Sequence, residues 1–335
     1  MKASIVAIGN EILIGQVINT NAAYIANELN KIGVEVERMV SIKDELSAIS
    51  EMLKTESIDC DYVLITGGLG PTRDDITKQA LCNYFNTHLQ LNTDVLKSVE
   101  KFVLGKGGEM NDLNRAQALI PYGFIAMDNE LGTAPGLTIE KNNTQFFFFP
   151  GVPHEMHFLM QKYVVPQLQS KQNHFIIHHT ILVHGLPEAK LAQILEDWEN
   201  DLPDSIALAY LPQPGLIRLR LTARGKVKNE LEKVIGEEGE KLKNIIPDNI
   251  LGAGAQSSIE YIQELFVRKN LSLATAESCT GGAIAAEITS MAGSSAYFKG
   301  TIVAYANEIK IKSLNVSQED LHLHGAVSQQ VVEQM

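Results

Sequence analysis

Strand and helix patterns alternate along the first 65 residues, and this alternation limits the possible folds more than any other feature of the chain. Apolar runs at 4–8, 34–40 and 62–65 predict three strands, and apolar residues at helical spacing in 22–29 and 46–53 predict the helices between them. A β-α-β-α-β order favours a parallel sheet with helices on its faces. Because ligands bind such sheets beyond the carboxyl ends of the strands, the loops after the first and third strands are candidate sites.

Three regions follow one another along the chain. Asn142-Asn143 separates two apolar runs and predicts a hairpin. Residues 174–244 then follow a strand, helix, strand, strand, helix order, which is typical of a small two-layer α+β module. From about Ser257 a strand-turn-helix pattern returns, and the sequence stops inside a helical pattern, so we expect a fragment whose last domain is incomplete. The predicted class is α/β: a doubly wound, mostly parallel N-terminal sheet (1–170), an α+β connecting domain (171–250) and a partial α/β domain (251–335).

Composition excludes several classes of protein. The 335 residues are 45% hydrophobic and carry a net charge of −12, which argues against binding to nucleic-acid phosphate. The three cysteines predict reduced thiols in a cytoplasmic protein rather than a disulfide framework. No apolar stretch approaches the ~20 residues that a membrane span needs, so no membrane partner is expected.

The turn after the third strand, LITGGLGPTRDD, admits two interpretations. Thr72 and Asp75 form a T-x-x-D pattern that resembles a capping box, and Asp74 would suit the positive end of a helix dipole. Alternatively, the glycines expose backbone N–H groups to a phosphate, and Asp74 and Asp75 hold a divalent cation that bridges the phosphates. The glycines in question are Gly67, Gly68 and Gly70.

Two other loops belong with this turn. Glu11 stands at the end of the first strand in GNEILIGQVINTNAAYIANEL, where Asn19 or Thr20 would cap the next helix. NELGTAPGL, from Asn129 to Leu137, is rich in turn residues, which a simple polar turn would also explain. We expect the loops after the first and third strands to meet at one edge of the sheet.

These motifs, together with FPGVPHEM, resemble the N-terminal domain of the CinA family (competence/damage-inducible protein), which is similar to molybdopterin-binding domains. The resemblance implies metal-dependent ADP-ribose pyrophosphatase activity, with Mg, Co or Mn as the divalent cation. It implies metal ligation by Asp74 and Asp75. It also implies a substrate pocket made of Glu11, Thr66, Gly67, Gly68, Gly70, Asn129, Thr133 and Gly136.

The second cluster is TAESCTGG, where Ser278 lies at a strand-to-helix turn. Helix N–H groups and glycines at such a turn can form an oxyanion hole around a nucleophilic serine. The alternatives are that Ser278 or Thr280 only caps the helix, or that Cys279 is the nucleophile. Lys310 is either the base that activates the serine or a solvated helix residue.

AESCTGG, AGSSAYFKGTIVAYANEIK and HGAVS resemble the CinA C-terminal domain, which hydrolyses the amide of nicotinamide mononucleotide. The resemblance implies Ser278 as nucleophile, Lys310 and Tyr305 as its activating groups, and Thr280, Gly281 and Ser295 as supporting residues. The family continues with a TGIAGP-like motif that helps to build the pocket, and this sequence ends before it. The middle region corresponds to a KH-like domain without a G-x-x-G loop, so no RNA role is assigned.

The sequence therefore predicts a cytoplasmic enzyme of pyridine-nucleotide salvage. The N-terminal domain would cleave ADP-ribose to AMP and ribose 5-phosphate. The C-terminal domain, in a complete chain, would convert nicotinamide mononucleotide to nicotinate mononucleotide and ammonia. The alternative is a non-catalytic module that binds a pterin or a nucleotide and is linked to competence. Small nucleotides and a homodimer are the expected partners.

Overall fold

The computed structural model describes residues 1–70, 76–171, 174–253 and 257–335. The chain divides into two units, Met1–Ile177 with Ala223–Glu232 and His178–Thr222 with Lys233–Met335. The described part contains no helix that is both long and apolar enough to cross a membrane.

The first unit follows the predicted alternation of strands and helices. Its strands are β1 Lys2–Ile8, β2 Glu35–Ile42, β3 Tyr62–Thr66, β4 Leu89–Leu91, β5 Leu119–Pro121, β6 Ile125–Met127, β7 Gly136–Lys141 and β8 Thr144–Phe149. Its helices are α1 Asn10–Leu13, α2 Thr20–Lys31, α3 Leu46–Thr55, α4 Thr77–Phe85, α5 Thr93–Gly105, α6 Asp112–Gln117, α7 Pro153–Leu159 and, after a π-helical turn at Met160–Val164, α8 Val165–Gln169.

Six of these strands form one sheet in the order β2-β1-β3-β8-β7-β6. Strand β1 pairs in parallel with β2 and β3, and β3 pairs in parallel with β8. The chain passes from β1 to β2 on one side and then returns to β3 on the other side. The point where strand order reverses therefore lies between the carboxyl ends of β1 and β3, which is where open α/β sheets bind ligands.

Helices cover both faces of this sheet. Ile49 of α3 and Leu81 of α4 pack with Phe146 and Phe148 on one face. The helices α2 and α7 pack with Phe147 and Phe149 on the other face. Successive strand residues point to opposite faces, so a run of four phenylalanines is the pattern of a strand that is buried on both sides. The predicted α/β class with a doubly wound, mostly parallel sheet is confirmed.

The hairpin between β7 and β8 is also confirmed. Asn142 and Asn143 both adopt positive φ, at 52° and 65°, and the strands pair in antiparallel register from Lys141–Thr144 onward. Two consecutive residues with positive φ match the twist of the flanking strands, and asparagine tolerates this conformation better than most residues.

The remaining described strands form three smaller sheets, one of which is the antiparallel pair of β4 and β5. Strands β9 Phe175–His184, β10 Ile206–Gln213, β11 Leu216–Gly225 and β12 Ile250–Ala253 are ordered β10-β11-β9-β12, and β13 Leu273–Glu277 pairs in parallel with β14 Phe298–Val303. The helices are α9 Glu188–Asn200, α10 Lys228–Ile245, α11 Ser258–Arg268, α12 Ala283–Ser290, α13 Asn307–Leu314, α14 Gln318–His324 and α15 Gln329–Gln334, with short 3-10 turns at Pro247–Asn249 and Ser294–Ala296.

Helix α4 is the first described element after this turn. It begins at Thr77, with Ile76 as its N-cap and no side-chain capping bond. Thr72, Asp74 and Asp75 lie outside the described residues. The capping box of Thr72 and Asp75 and the alternative cation site therefore both stay predictions.

The turn after β3 depends on a close backbone approach at Gly67. Gly67 has φ +106°, and a Cβ there would lie 2.2 Å from the Ile8 carbonyl oxygen. Its N–H donates to the Phe149 carbonyl at 3.0 Å. Glycine thus lets the end of β3 pass directly beside the end of β1, which a side chain would prevent.

We predict that Gly67→Ala destabilises the first unit much more than the same change at Gly107. Gly107 also has positive φ (+76°), but nothing lies within 4 Å of its Cβ position. The control, Gly107→Ala, should lower the free energy of unfolding by about 1 kcal/mol, because alanine disfavours the left-handed conformation. Gly67→Ala should cost at least ~2 kcal/mol more, because backbone atoms must move. Urea unfolding measures both, and equal losses would contradict the close approach.

Candidate functional site

A pocket of about 130 Å³ lies at the carboxyl ends of β1, β3 and β8. Ile8 and Glu11 contribute from the first loop, Thr66 and Gly67 from the end of β3, and Gly151 from the loop after β8. The expectation that the loops after the first and third strands meet at one edge is confirmed. The contribution of the third loop, after β8, was not predicted.

The side chain of Asn21 joins these strand ends. Its Nδ2 donates to the Gly151 carbonyl at 2.8 Å and to Thr66 Oγ1 at 3.0 Å. The Thr66 hydroxyl in turn donates to the Pro150 carbonyl at 3.1 Å. Asn19 caps α2 as predicted, since its Oδ1 accepts from the Ala22 N–H at 3.0 Å. This places Asn21 in the first turn of the helix, facing the sheet.

Glu11 brings a carboxylate to the same pocket. Its side chain folds back over Gly9, so that a Cβ at position 9 would lie 2.4 Å from Glu11 Oε1. The residue is exposed and lines the pocket. The structure therefore brings together Glu11, Thr66 and Gly67 from the set of predicted substrate contacts.

Other predicted contacts lie elsewhere. A Cβ on Gly68 would lie 2.0 Å from the Thr77 hydroxyl, so this glycine packs against the start of α4. Asn129 lines a second cavity of about 410 Å³ against α5, and Thr133 faces the same helix. Gly136 is buried in β7 against Met127. Gly70 is half-buried and is not among the described residues that line the 130 Å³ pocket.

The 129–136 loop is nevertheless tied to the helix beside the pocket. Asn129 Nδ2 donates to Glu155 Oε2 at 2.6 Å and to the Ala134 carbonyl at 2.8 Å. Glu155 belongs to α7, whose first residue, Pro153, lines the pocket. The loop thus supports the pocket from behind rather than forming its wall.

A metal centre is not evident in the described part of the first unit. No group of three or more His, Cys, Asp or Glu side chains is arranged to hold an ion among the described residues. Asp74 and Asp75, the predicted ligands, lie outside these residues, so the predicted cation site stays a prediction.

In the second unit, Ser278 follows β13 directly and precedes the turn to α12. The helix N-cap is Gly282, which carries no side-chain cap. The interpretation of Ser278 or Thr280 as the cap is therefore wrong. The residue that satisfies this helix end is Glu277, the last residue of β13.

Glu277 is buried and accepts hydrogen bonds from the turn, from α12 and from β14. Its oxygens accept from the N–H groups of Gly282 at 3.0 Å, Ile284 at 3.1 Å and Ala285 at 2.9 Å, and from the Thr301 hydroxyl at 3.3 Å. Burial alone would raise the pKa of Glu277, but these bonds and one from the Thr280 hydroxyl together hold it below the ordinary value of 4.5.

These contacts restrict the expected oxyanion hole. The N–H groups of Gly282, Ile284 and Ala285 are already bound by Glu277. The N–H groups of Cys279 and Thr280 donate to no residue that the structure describes. An oxyanion next to Ser278 would find its donors at these two positions instead.

Lys310 is buried, so its interpretation as a solvated helix residue is wrong. Its Nζ donates to the Ala304 carbonyl at 2.6 Å and to the Tyr305 carbonyl at 3.0 Å. The Ala304 N–H donates to the Glu277 carbonyl at 2.8 Å. Lys310 therefore fixes the segment after β14 beside the end of β13, while the Tyr305 ring is 72% exposed.

Ser295 is exposed in the 3-10 turn Ser294–Ala296, and Thr280 and Gly281 are exposed in the turn after Ser278. Cys279 is exposed as well. Ser278, Thr280 and Gly281 thus lie on the loop after β13, and Tyr305 lies on the loop after β14. Ser295 precedes β14 and lies at the opposite end of this parallel strand pair, so the structure does not bring it to the predicted site.

Family models match the whole length of this architecture. A "Probable molybdopterin binding domain" matches 4–170, a "Damage-inducible protein CinA KH domain" matches 178–252, and a "CinA C-terminal domain" matches 255–335. A CinA-like protein from Flavobacterium psychrophilum is 47% identical over 100% of this chain and 81% of its own length. The chain belongs to the CinA family.

Other CinA-family relatives agree. A CinA-like protein from Chloroherpeton thalassium is 38% identical over 100% of this chain and 81% of its own length. The crystal structure of CinA, of unknown function, from Thermoplasma acidophilum is 34% identical, covers 48% of this chain and 94% of that chain, and has a TM-score of 0.45. The resemblance stated from the motifs is confirmed.

Two residues of the candidate sites escaped the sequence analysis, Asn21 in the first unit and Glu277 in the second. Glu277 ends β13 and precedes a glycine-led helix without a side-chain cap, which was an available signal. Asn21 lies in the first turn of α2, which Asn19 already caps, so no local signal marks it. The partners of Asn21, Thr66 and Gly151, are distant in sequence, so its role required the fold.

We predict that Glu277→Gln lowers the stability of this CinA C-terminal region, because an amide cannot accept all of these bonds. The folded pKa lies below the ordinary value, so the carboxylate contributes fully above about pH 4.5 and the contribution is lost as pH falls through the folded pKa. Urea midpoints of both proteins should differ at neutral pH and converge in acid. Glu287→Gln, on the exposed side of α12, is the control; a constant difference across pH would contradict this account.

Proposed function

We propose that the N-terminal domain hydrolyses ADP-ribose to AMP and ribose 5-phosphate with a divalent cation. The supporting observation is the convergence of the loops after β1, β3 and β8 on one pocket at the reversal of strand order. Pockets at this position serve nucleotide ligands in open α/β sheets. The family resemblance supplies the reaction.

In the proposed reaction, water attacks one phosphorus of the diphosphate and the P–O bond to the bridging oxygen breaks. A bound cation would offset the charge that develops on the phosphate oxygens. Asp74 and Asp75 are the proposed ligands. Among the described residues that line the pocket, Glu11 supplies a carboxylate, and it stands just after β1.

The second proposed activity belongs to the C-terminal domain. Ser278 Oγ attacks the carboxamide carbon of nicotinamide mononucleotide, ammonia leaves, and water then releases nicotinate mononucleotide from the acyl-serine. The N–H groups of Cys279 and Thr280 would stabilise the oxyanion. Lys310 would act mainly by fixing the loop of Tyr305, since two of its three N–H bonds go to backbone carbonyls.

The first prediction concerns ADP-ribose. AMP release, followed by chromatography, should require a divalent cation and should fall by about 100-fold or more in Asp75→Asn, which removes a proposed ligand charge. Asp59→Asn, an exposed aspartate of the same unit, should leave turnover unchanged. Binding of ADP-ribose without AMP release, at any cation concentration, would favour the non-catalytic binding module that the molybdopterin-domain match suggests.

The second prediction concerns ammonia release from nicotinamide mononucleotide. Ser278→Ala should reduce release by about 1000-fold or more, because the attacking oxygen is lost. Cys279→Ala should keep most activity, and Ser272→Ala, an exposed serine before β13, is the matched control. If Cys279→Ala is the inactive variant, the thiol is the nucleophile. Absence of ammonia release by the unaltered chain contradicts the activity for this chain.

A further inference from the structure

The charged group that the 130 Å³ pocket presents is an acceptor. The Glu11 carboxylate lies over Gly9 at its rim. The Gly67 N–H, which the glycine-rich turn was expected to offer to a phosphate, donates to the Phe149 carbonyl and is not available to an anion.

Asn21 lines the pocket, but its acceptor atom does not reach a ligand there. Because the Gly151 carbonyl can only accept, the atom that faces it is Nδ2. Oδ1 is buried without a hydrogen-bond partner in the described part of the chain and has no surface that a ligand in the pocket could contact. The exposed acceptor of the pocket is therefore the Glu11 carboxylate.

The ligand group that suits this carboxylate is a hydroxyl, not a phosphate. A phosphate would be repelled by Glu11, whereas a hydroxyl donates to it. In dinucleotide-binding sheets a carboxylate about 20 residues after the first turn accepts from the ribose hydroxyl by the same chemistry, although its place in the sheet differs from that of Glu11. The two oxygens of one carboxylate suit a vicinal diol.

Size and lining agree with one sugar ring. A cavity of about 130 Å³ is close to the ~150 Å³ that accommodates a single six-membered ring in an apolar protein cavity. Ile12, Val17 and Ile18 form an apolar wall beside the acceptors, and such a wall suits the carbon face of a furanose. A whole dinucleotide would not fit within this volume.

We infer that this pocket is a ribose subsite, in which vicinal hydroxyls donate to the Glu11 carboxylate while the phosphates lie outside it. The inference rests on the proposed use of a ribose-containing nucleotide and assigns one part of that ligand to one pocket.

The test is a calorimetric titration of the whole chain, in EDTA, with ribose 5-phosphate, 2-deoxyribose 5-phosphate and inorganic phosphate. Loss of a hydrogen bond to a charged group weakens binding by about 10-fold or more. Ribose 5-phosphate should therefore bind at least ~10-fold more tightly than the deoxy sugar. Equal affinities, no measurable ribose 5-phosphate binding, or equally tight binding of phosphate alone would each overturn the subsite.

Two variants test whether Glu11 causes the preference for ribose 5-phosphate over 2-deoxyribose 5-phosphate. Glu11→Gln removes the charge, and Gly9→Ala introduces a Cβ where the Glu11 carboxylate now lies. Position 9 has φ 166°, an extended conformation that alanine adopts without strain, and the atoms to be displaced are the end of a flexible side chain. In both variants the affinity for ribose 5-phosphate should exceed that for the deoxy sugar by no more than about 3-fold, because most of one hydrogen bond to a charged group is lost. Glu51→Gln, exposed on α3, should retain it; retention in all three variants overturns the role of Glu11.

The result is separable from the proposed hydrolysis. Binding is measured without a cation, whereas AMP release is measured with one. If AMP release persists and the ribose preference is absent, the subsite alone is wrong. If the preference is present and no AMP forms, the proposed hydrolysis alone is wrong.

Discussion

The pocket of the first unit depends on the side-chain amide of Asn21. Because the helix after β1 packs on one face of the sheet and the helix after β3 on the other, the loops leave this edge in opposite directions. The two Nδ2 bonds, at 2.8 Å to the Gly151 carbonyl and 3.0 Å to Thr66 Oγ1, hold the strand ends beside one another where the chain diverges. The close passage of Gly67 beside Ile8 is possible only within this arrangement.

Glu11 and Glu277 show that similar local sequences produce different chemistry. Each carboxylate stands near the carboxyl end of a strand: Glu11 lies in the short helix α1 just after β1, and Glu277 is the last residue of β13. Glu11 is exposed at a pocket rim, so its charge is available to a ligand. Glu277 is buried and its oxygens are taken by backbone N–H groups, so it shapes the turn that carries Ser278 without being free to bind substrate.

The order of strands and helices could be predicted from the sequence because hydrophobic periodicity is local, and the Asn142-Asn143 turn because its chemistry is local. The meeting of the β1 and β3 loops followed from sheet topology alone. Local patterns failed where a distant partner decides the outcome. Lys310 is buried because its stem packs inward and two carbonyls receive its Nζ. The role of Asn21 depends on Thr66 and Gly151, 45 and 130 residues away.

The position of Glu277 also constrains any substrate at the second site. An anion at the start of α12 would lose the N–H donors that Glu277 already binds and would be repelled by its charge. Under the proposed amidase function, the phosphate of the nucleotide therefore lies away from Gly282, and the group at the turn is the neutral carboxamide. The free N–H groups of Cys279 and Thr280 suit this orientation, since they meet negative charge only when the carbonyl oxygen develops it during attack by Ser278.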